Sequence, residues 1–242
     1  MKAIVLAAGR GKRMRPLSDT CPKPLLEVRG KRLIEWHLEA LGRAGVREIV
    51  VNTDWLEEQI TDTLGDGARF GVSIRYSLEG RDHGGALETA GGIATALPLL
   101  GDAFWIVSAD VWVPDFAFAA ENAARFVAGD RLAHLWLVPN PPFHPRGDFG
   151  LDADGFALDG SGADGQRWTY ANIALARAEM FAGIAAGTHA ALAPLLFAGA
   201  RERRIGAEVY RGRWENVGTP EQLAALNATP LSGGSLRTTV AT

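Results

Sequence analysis

The hydrophobic and polar positions of the first 138 residues follow two alternating patterns. Short apolar runs are typical of buried strands, and between them lie segments whose apolar residues recur every three or four positions, as in helices. The predicted strands cover residues 3–8, 48–51, 72–77, 103–109 and 132–138, and the predicted helices cover residues 33–44, 55–64, 87–100 and 116–127. This strict alternation predicts an α/β fold: a Rossmann-like, mostly parallel sheet with helices on both faces.

The pattern changes after Pro139. Residues 140–146 contain three prolines and residues 148–168 are rich in Gly and Asp, which is typical of loops and short antiparallel strands. Beyond them we predict a strand at 169–176, a mainly helical region at 178–200, short strands at 205–210 and 213–217, and a helix from Thr219-Pro220. The chain is therefore interpreted as one domain, residues 1–228, in which a first half (1–138) is followed by a small mixed substrate lobe (139–228). Residues 229–242 are predicted to be a flexible tail.

Composition and charge exclude several classes of protein. The 242 residues include 25 Lys and Arg against 28 Asp and Glu, so the basic excess of a nucleic-acid-binding protein is missing. Cys21 is the single cysteine, which excludes an intramolecular disulfide and a cysteine-based metal site. No apolar run is long enough for a membrane span, and no signal-peptide pattern is present. We expect a cytoplasmic protein, a monomer or small homo-oligomer, without membrane or nucleic-acid partners.

A basic, glycine-containing loop follows the first predicted strand. Its glycines let backbone N–H groups approach a polyphosphate, and its cations offset the negative charge. The relevant residues are Gly9, Gly11, Lys12, Arg13, Arg15 and Lys23. Met14 stands where a dinucleotide fingerprint needs its third glycine, Pro16 blocks immediate entry into a helix, and no Walker motif is present. A dehydrogenase of the Rossmann type and a Walker-type NTPase are therefore excluded.

The long stretch Leu6-Ala7-Ala8-Gly9-x-Gly11-x-Arg13-Met14-Arg15-Pro16-Leu17, followed by Pro22-Lys23-Pro24-Leu25, resembles the signature of the sugar-1-phosphate nucleotidyltransferases. The resemblance implies a fold of the nucleotide-diphospho-sugar transferase type. It also implies that Arg15 and Lys23 are catalytic groups that grip the phosphates of an NTP. The backbone from Leu6 through Ala8 and Gly9 to Gly11 would cradle the base and phosphates, with Lys12 and Arg13 as further nucleotide contacts.

Asp110 follows a strongly apolar strand, at the end where open parallel sheets bind ligands. A carboxylate there suits Mg²⁺, which favours one or two carboxylates together with phosphate oxygens. The resemblance implies that Asp110 holds the catalytic metal, and that the second ligand comes from Trp214-Glu215-Asn216-Val217-Gly218-Thr219-Pro220, where Asn216 replaces the aspartate of the family. We therefore predict a Mg²⁺ site formed by Asp110 and Asn216, weakened by one missing negative charge.

Two further segments resemble the parts of the family that read the base and the sugar. Glu79 can accept the N3–H of uracil or thymine, although a surface glutamate beside a turn remains the alternative. The adjoining segment 87–92 adds Thr89 and Gly91 to the predicted nucleotide site, and residues 81–85 are predicted to form a mobile loop over it. The predicted sugar-binding residues are Ser108, Arg146, Gly147, Asp148 and Asn172.

Residues 87–89, 96–102 and 146–149 resemble the cell-wall-recycling branch of the family, which joins UTP to N-acetylmuramate 1-phosphate. Arg146 is the candidate partner for the lactyl carboxylate of muramate. The expected partners are thus two small molecules, an NTP and a sugar 1-phosphate. Two alternatives remain open: a glucose- or mannose-1-phosphate enzyme using UTP, dTTP or GTP, and a non-catalytic nucleotide-sensing relative, which the replacement at Asn216 favours.

Overall fold

The computed structural model describes residues 1–228, so the predicted tail at 229–242 lies outside the described residues. The strands are, in chain order, β1 (Lys2–Leu6), β2 (Glu27–Val28), β3 (Lys31–Arg32), β4 (Glu48–Thr53), β5 (Ser73–Leu78), β6 (Ala103–Ser108), β7 (Val111–Trp112), β8 (Ala133–Val138), β9 (Gly150–Leu151), β10 (Ala157–Leu158), β11 (Thr169–Arg177), β12 (Ile205–Val209) and β13 (Glu215–Asn216). The α-helices are α1 (Leu17–Thr20), α2 (Leu33–Arg43), α3 (Glu57–Leu64), α4 (Glu79–His83), α5 (Glu88–Ala96), α6 (Ala120–Ala128), α7 (Ala193–Arg201) and α8 (Pro220–Ala228). Short 3-10 helices cover Lys12–Met14, Lys23–Leu25, Ala68–Phe70, Leu97–Leu99 and Ala178–Phe181.

Seven strands form the central sheet in the order β12-β8-β11-β6-β1-β4-β5. Strands β6, β1, β4 and β5 are parallel neighbours, as are β12 and β8, whereas β11 runs antiparallel to both β6 and β8. The mostly parallel sheet predicted from the sequence is confirmed. The antiparallel β11 has a simple cause: parallel neighbours need a crossover, usually a helix, and the chain between β8 and β11 contains only loops and the β9-β10 pair.

Each strand of the sheet contributes to two cores because successive side chains point to opposite faces. On β6, Trp105 and Val107 pack into the core covered by α2, α3 and α6, while Phe104 and Ile106 pack into the core covered by α5 and α7. Helices therefore cover both faces. Within residues 1–228, every helix is too short or too polar to cross a membrane.

The loops that form the site lie at one edge of the sheet, the edge where most of its strands have their carboxyl ends. Strands β1, β4, β5, β6, β8 and β12 all end at this edge, and the antiparallel β11 begins there. The loop after β1, the turn after β6, the loop after β8 and the start of β11 therefore meet. Polar residues that are far apart in the sequence become neighbours at this edge.

The mainly helical region predicted for residues 178–200 is interrupted by a non-helical segment at 182–192. A 3-10 helix covers Ala178–Phe181, α7 begins only at Ala193, and the chain between them runs as a strap against the first turn of α5. The carbonyl of Ala190 accepts hydrogen bonds from the N–H groups of Ala90 and Gly91, and the N–H of Ala190 donates to the carbonyl of Leu87. These tertiary bonds outweigh the helix propensity of the alanines in this segment.

Candidate active site

Two adjoining cavities open at this edge of the sheet. The loop cavity, about 440 Å³, lies over the loop after β1, and the lobe cavity, about 490 Å³, lies between β11, the loop after β8 and the start of α7. Both are lined by Leu6, Glu88, Thr89 and Ser108. A third, outer cavity of about 670 Å³ shares His144 with the lobe cavity. Two ligands bound in the first two cavities would meet at the four shared residues.

The loop after β1 is folded tightly against Lys23. Gly11 has a φ of 63°, and a Cβ at this position would lie 3.2 Å from the Cβ of Lys23. Glycine therefore avoids both backbone strain and a close contact with Lys23. The Ser18 hydroxyl donates to the carbonyl of Gly11 at 2.8 Å. The loop cavity is lined by the predicted nucleotide residues of this loop, Leu6, Ala8, Gly9, Gly11, Lys12 and Arg13, and by Lys23.

Lys23 and Asp110 form an ion pair at the floor of the loop cavity. The Nζ of Lys23 lies 3.1 Å from Oδ2 of Asp110, and only 9% of the lysine side chain is exposed. The other carboxylate oxygen of Asp110, Oδ1, is buried and has no hydrogen-bond partner among the described residues. A buried, unsatisfied carboxylate oxygen is costly, which indicates that this atom is completed by a bound group.

Asn216 lies beside Asp110 because β13 pairs with β7. Asn216 is opposite Val111 in this pair, and the N–H of Val217 donates to the carbonyl of Asp110 at 2.9 Å. Its side chain lines the lobe cavity. Within residues 1–228, no three carboxylate, histidine or cysteine side chains form a metal-binding cluster. The unsatisfied Asp110 oxygen and the amide oxygen of Asn216 are hard donors that fit Mg²⁺ if substrate phosphates complete its coordination.

The structure brings Arg13, not Arg15, to the loop cavity. Arg13 lines the cavity, and its Nη2 lies near Gly218, 3.7 Å from the position of a Cβ built there. Arg15 is not among the lining residues; its Nε bonds to Asp19 at 3.0 Å, and 55% of its side chain is exposed. The structure therefore places Arg15 outside the cavity, with the intervening Met14 fully buried, and the catalytic role of Arg15 stays a prediction.

Glu79 lines the loop cavity, so its base-reading role stays a prediction, whereas the alternative of a surface glutamate is wrong. Glu79 is 1% exposed, and its oxygens accept hydrogen bonds from Asn52 Nδ2 at 2.6 Å and from the N–H of Leu87 at 2.8 Å. Asn52 Oδ1 in turn accepts from the N–H of Ala7 at 2.9 Å. Burial raises the pKa of Glu79, and the two hydrogen bonds partly oppose this shift. The carboxylate thus connects the loop after β1 to the start of α5.

The surroundings of Glu79 differ from the sequence prediction in two other ways. The predicted loop at 81–85 is helical as far as His83, the last residue of α4. Gly91 is absent from the residues that line the cavities, because it packs against the strap: a Cβ there would lie 2.1 Å from the carbonyl oxygen of Thr188. Thr89, two residues earlier, does line both cavities.

The predicted sugar residues divide between two cavities. Ser108, Asp148 and Asn172 line the lobe cavity, whereas Arg146 and Gly147 line the outer cavity and are separated from the lobe cavity by His144. Oδ1 of Asp148 accepts a hydrogen bond from His144 Nε2 at 2.9 Å, and its Oδ2 accepts the N–H of Tyr170 at 2.8 Å. The structure therefore does not place Arg146 and Gly147 with the other three sugar residues.

Sequence reasoning missed several residues that line the cavities, among them His144, His189, Trp214 and Glu88. His144 and Trp214 follow strands that end at the shared edge, so their positions could have indicated a role. Glu88 lies in a segment that was already assigned to the nucleotide. The position of His189 depends on the strap, and no sequence pattern predicts that segment.

A buried histidine beneath the site makes stability sensitive to acid. His37 is 1% exposed, its Nε2–H donates to the carbonyl of Val111 at 2.8 Å, and burial lowers its pKa to about 4. Unfolded chains protonate histidine near pH 6.5, so the free energy of unfolding should fall as the pH drops from about 6.5 towards 4. We expect a loss of about 2 kcal/mol between pH 7 and pH 5.

Urea unfolding at both pH values checks this expectation. His37→Gln, which keeps a side-chain donor for Val111, should lose less stability between pH 7 and pH 5 than the natural chain. An identical pH dependence in the two proteins would contradict the assignment to His37.

Known proteins resemble this chain in sequence and in fold. The model of the nucleotidyl transferase family matches residues 2–151. An N-acetylmuramate alpha-1-phosphate uridylyltransferase of Neisseria meningitidis is 50% identical over 221 residues, 90% of this chain and 94% of that protein. The protein of the same name from Caulobacter vibrioides is 31% identical over 93% of this chain and 95% of its own length.

A solved structure of a Bacillus anthracis protein in complex with sucrose superposes with a TM-score of 0.78 over 94% of both chains, at 19% identity, which is a likeness of fold alone. The residues matched by the family model, 2–151, include β1, the basic loop and Asp110. These segments form the floor of the loop cavity. Because the family model and two relatives each match well over half of its length, the chain belongs to the nucleotidyl transferase family.

Proposed function

We propose that this protein transfers the uridylyl group of UTP to N-acetyl-α-muramate 1-phosphate, giving a UDP-sugar and pyrophosphate. The substrates are inferred from the 50% identity to the Neisseria uridylyltransferase across 94% of that protein. One observation of the site carries the reaction type: the loop and lobe cavities adjoin and share four lining residues. This arrangement suits two ligands that react with each other.

In the proposed reaction, an oxygen of the sugar 1-phosphate attacks the α-phosphorus of UTP. A new phosphorus–oxygen bond forms, the bond between the α-phosphorus and its bridging oxygen to the β-phosphorus breaks, and pyrophosphate leaves with the electron pair. The chain supplies position and charge rather than a nucleophile. Lys23 and Arg13 line the cavity that would hold the triphosphate, and the backbone around Gly11 can approach its oxygens.

A metal ion fits this scheme at Asp110 and Asn216. When bound, Mg²⁺ would neutralise charge on the phosphates. Asp110 already holds Lys23 through Oδ2, which leaves Oδ1 for another partner. The aspartate would thus orient the lysine and hold the ion at the same time.

The outer cavity offers a place for the carboxylate that distinguishes muramate from other sugars. Arg146 lines this cavity, is exposed, and has no ion-pair partner among residues 1–228 in the structure. Arg167 lines it too, and its Nε is buried without a hydrogen-bond partner there. His144 connects this cavity with the lobe cavity. A lactyl group that passes His144 would reach two guanidinium groups.

Pyrophosphate release, measured with a panel of nucleoside triphosphates and sugar 1-phosphates, tests the proposal. We expect the highest kcat/KM for UTP with N-acetylmuramate 1-phosphate. A preference for glucose or mannose 1-phosphate would contradict the proposed acceptor, and no turnover with any pair would favour a nucleotide sensor.

The same panel tests Arg146. Arg146→Ala should raise the KM for N-acetylmuramate 1-phosphate by about tenfold or more, because a charged hydrogen bond is lost, and should leave N-acetylglucosamine 1-phosphate unaffected. Equal losses with both sugars would show that Arg146 does not recognise the carboxylate.

A further inference from the structure

Glu88 has a backbone conformation that glycine would adopt without strain. Its φ is 59°, in the left-handed region, where a Cβ costs free energy and only asparagine and aspartate are commonly tolerated. Five residues other than glycine have positive φ within residues 1–228, and two of them, Glu88 and Asn172, line the lobe cavity. Strain of this kind often concentrates at functional sites.

The surrounding structure holds Glu88 in place from both sides. The N–H of the preceding residue, Leu87, donates to the buried carboxylate of Glu79 at 2.8 Å. The N–H groups of Ala90 and Gly91, which follow it, both donate to the carbonyl of Ala190 in the strap. These bonds fix the conformation of the peptide, and a glycine would satisfy them equally well. The glutamate side chain is therefore not needed to build this turn.

The side chain itself lies where the two cavities meet. Glu88 lines both cavities, about half of it is exposed, and its Oε1 lies 4.0 Å from Nδ1 of His189. A carboxylate repels phosphate groups but accepts hydrogen bonds from hydroxyl groups. The cations Lys12, Arg13 and Lys23, which suit phosphates, line the loop cavity together with it. The hydroxyl-bearing parts of the substrates are the ribose and the acceptor sugar.

We propose that the Glu88 carboxylate accepts hydrogen bonds from substrate hydroxyl groups at the junction of the two cavities and is a specificity-determining residue. The inference rests on the proposed function, since it takes the ligands to be a uridine nucleotide and a sugar phosphate. Glutamate lowers the folding stability at this position, and substrate binding by its side chain is the reason why a glycine does not stand there.

Calorimetric titration of the whole protein with UDP, 2′,3′-dideoxy-UDP and UDP-N-acetylmuramate tests the inference. Glu88→Gln keeps the size and backbone of the side chain but removes its charge, and Glu88→Gly also removes the strain. Glu121→Gln, in the first turn of α6 and outside the cavities, controls for the loss of one negative charge near a helix start. Urea unfolding of each variant accompanies the titrations.

We expect both Glu88 variants to bind UDP-N-acetylmuramate about tenfold or more weakly, the usual size of a lost charged hydrogen bond. Glu88→Gly should at the same time unfold at a higher urea concentration, which a purely structural role would not produce. If UDP is weakened as well and the dideoxy form is not, the hydroxyl groups belong to the ribose; if only UDP-N-acetylmuramate is weakened, they belong to the sugar.

Unchanged affinities in both Glu88 variants, with the natural protein binding normally, would overturn the role of Glu88 alone. If the natural protein bound none of the three ligands and turned over no substrate pair, the proposed function would fail first. The control variant should match the natural protein throughout.

Discussion

Replacing Asp110 by asparagine should lower kcat by about 10²–10³-fold, the range seen when one preorganised electrostatic group is lost. The substitution keeps the shape of the side chain but removes the charge that holds Lys23 at 3.1 Å and that would hold a metal ion through Oδ1. Lys23, which is 91% buried by side-chain area, would then lack its counter-charge. Both the metal and the lysine would be misplaced by one change.

Steady-state kinetics at saturating Mg²⁺ measure this effect, and urea unfolding shows whether the variant is folded. Asp115→Asn is the matched control, because Asp115 lies five residues further along, beyond β7, and pairs with Arg213 outside the two cavities. It should keep kcat within about twofold, as expected for an exposed ion pair. A kcat for Asp110→Asn within threefold of the natural protein would show that Asp110 is not part of the catalytic machinery.

The neighbouring Asn216 allows the opposite experiment. Asn216→Asp adds a negative charge beside Asp110, so half-maximal activity should need about tenfold less Mg²⁺, since the charge of the ligands sets the affinity for a hard cation. An unchanged Mg²⁺ midpoint would mean that Asn216 does not bind the ion. Activity titrated against Mg²⁺ at fixed substrate concentrations makes the comparison.

The parts of the site that the sequence predicted are those whose position depends on short-range structure. Leu6 ends a buried strand, Gly9, Gly11 and Asp110 follow one, and parallel strands bring their carboxyl ends to one edge. Lys23 lies between two prolines that restrict the chain, in a 3-10 helix that packs on Gly11. Local patterns are enough to place such residues.

The features that the sequence did not predict depend on distant contacts. The strap between residues 182 and 192 is not helical, because Ala190 forms hydrogen bonds with the first turn of α5, and an alanine-rich sequence does not show this. Glu79 could be recognised as an acceptor, but its burial and its bonds to Asn52 and Leu87 appear only when β4, α4 and α5 come together.

Arg13 and Arg15 give the sharpest test of what the structure adds to the sequence. Arg13→Ala should lower kcat/KM by about 10²-fold, because it removes a cation from the cavity proposed for the triphosphate. Arg15→Ala should lower it by less than about threefold, since that guanidinium is more than half exposed and pairs with Asp19 on the surface. The two variants lose the same side chain two positions apart, so each serves as the control for the other.

The physical reason for the difference is the turn between the two arginines. Lys12–Met14 form a 3-10 helix, and Met14 is buried in a small core with Val28, Leu33 and Trp112. The buried Met14 therefore fixes the orientation of the turn, and the Nη2 of Arg13 lies near Gly218. Arg15, the next residue, has an extended backbone, and its side chain pairs with Asp19. If Arg15→Ala instead lost as much kcat/KM as Arg13→Ala, while both variants unfolded at the same urea concentration, the placement in the structure would be wrong. The assignment of Arg15 that the sequence alone suggests would then be supported.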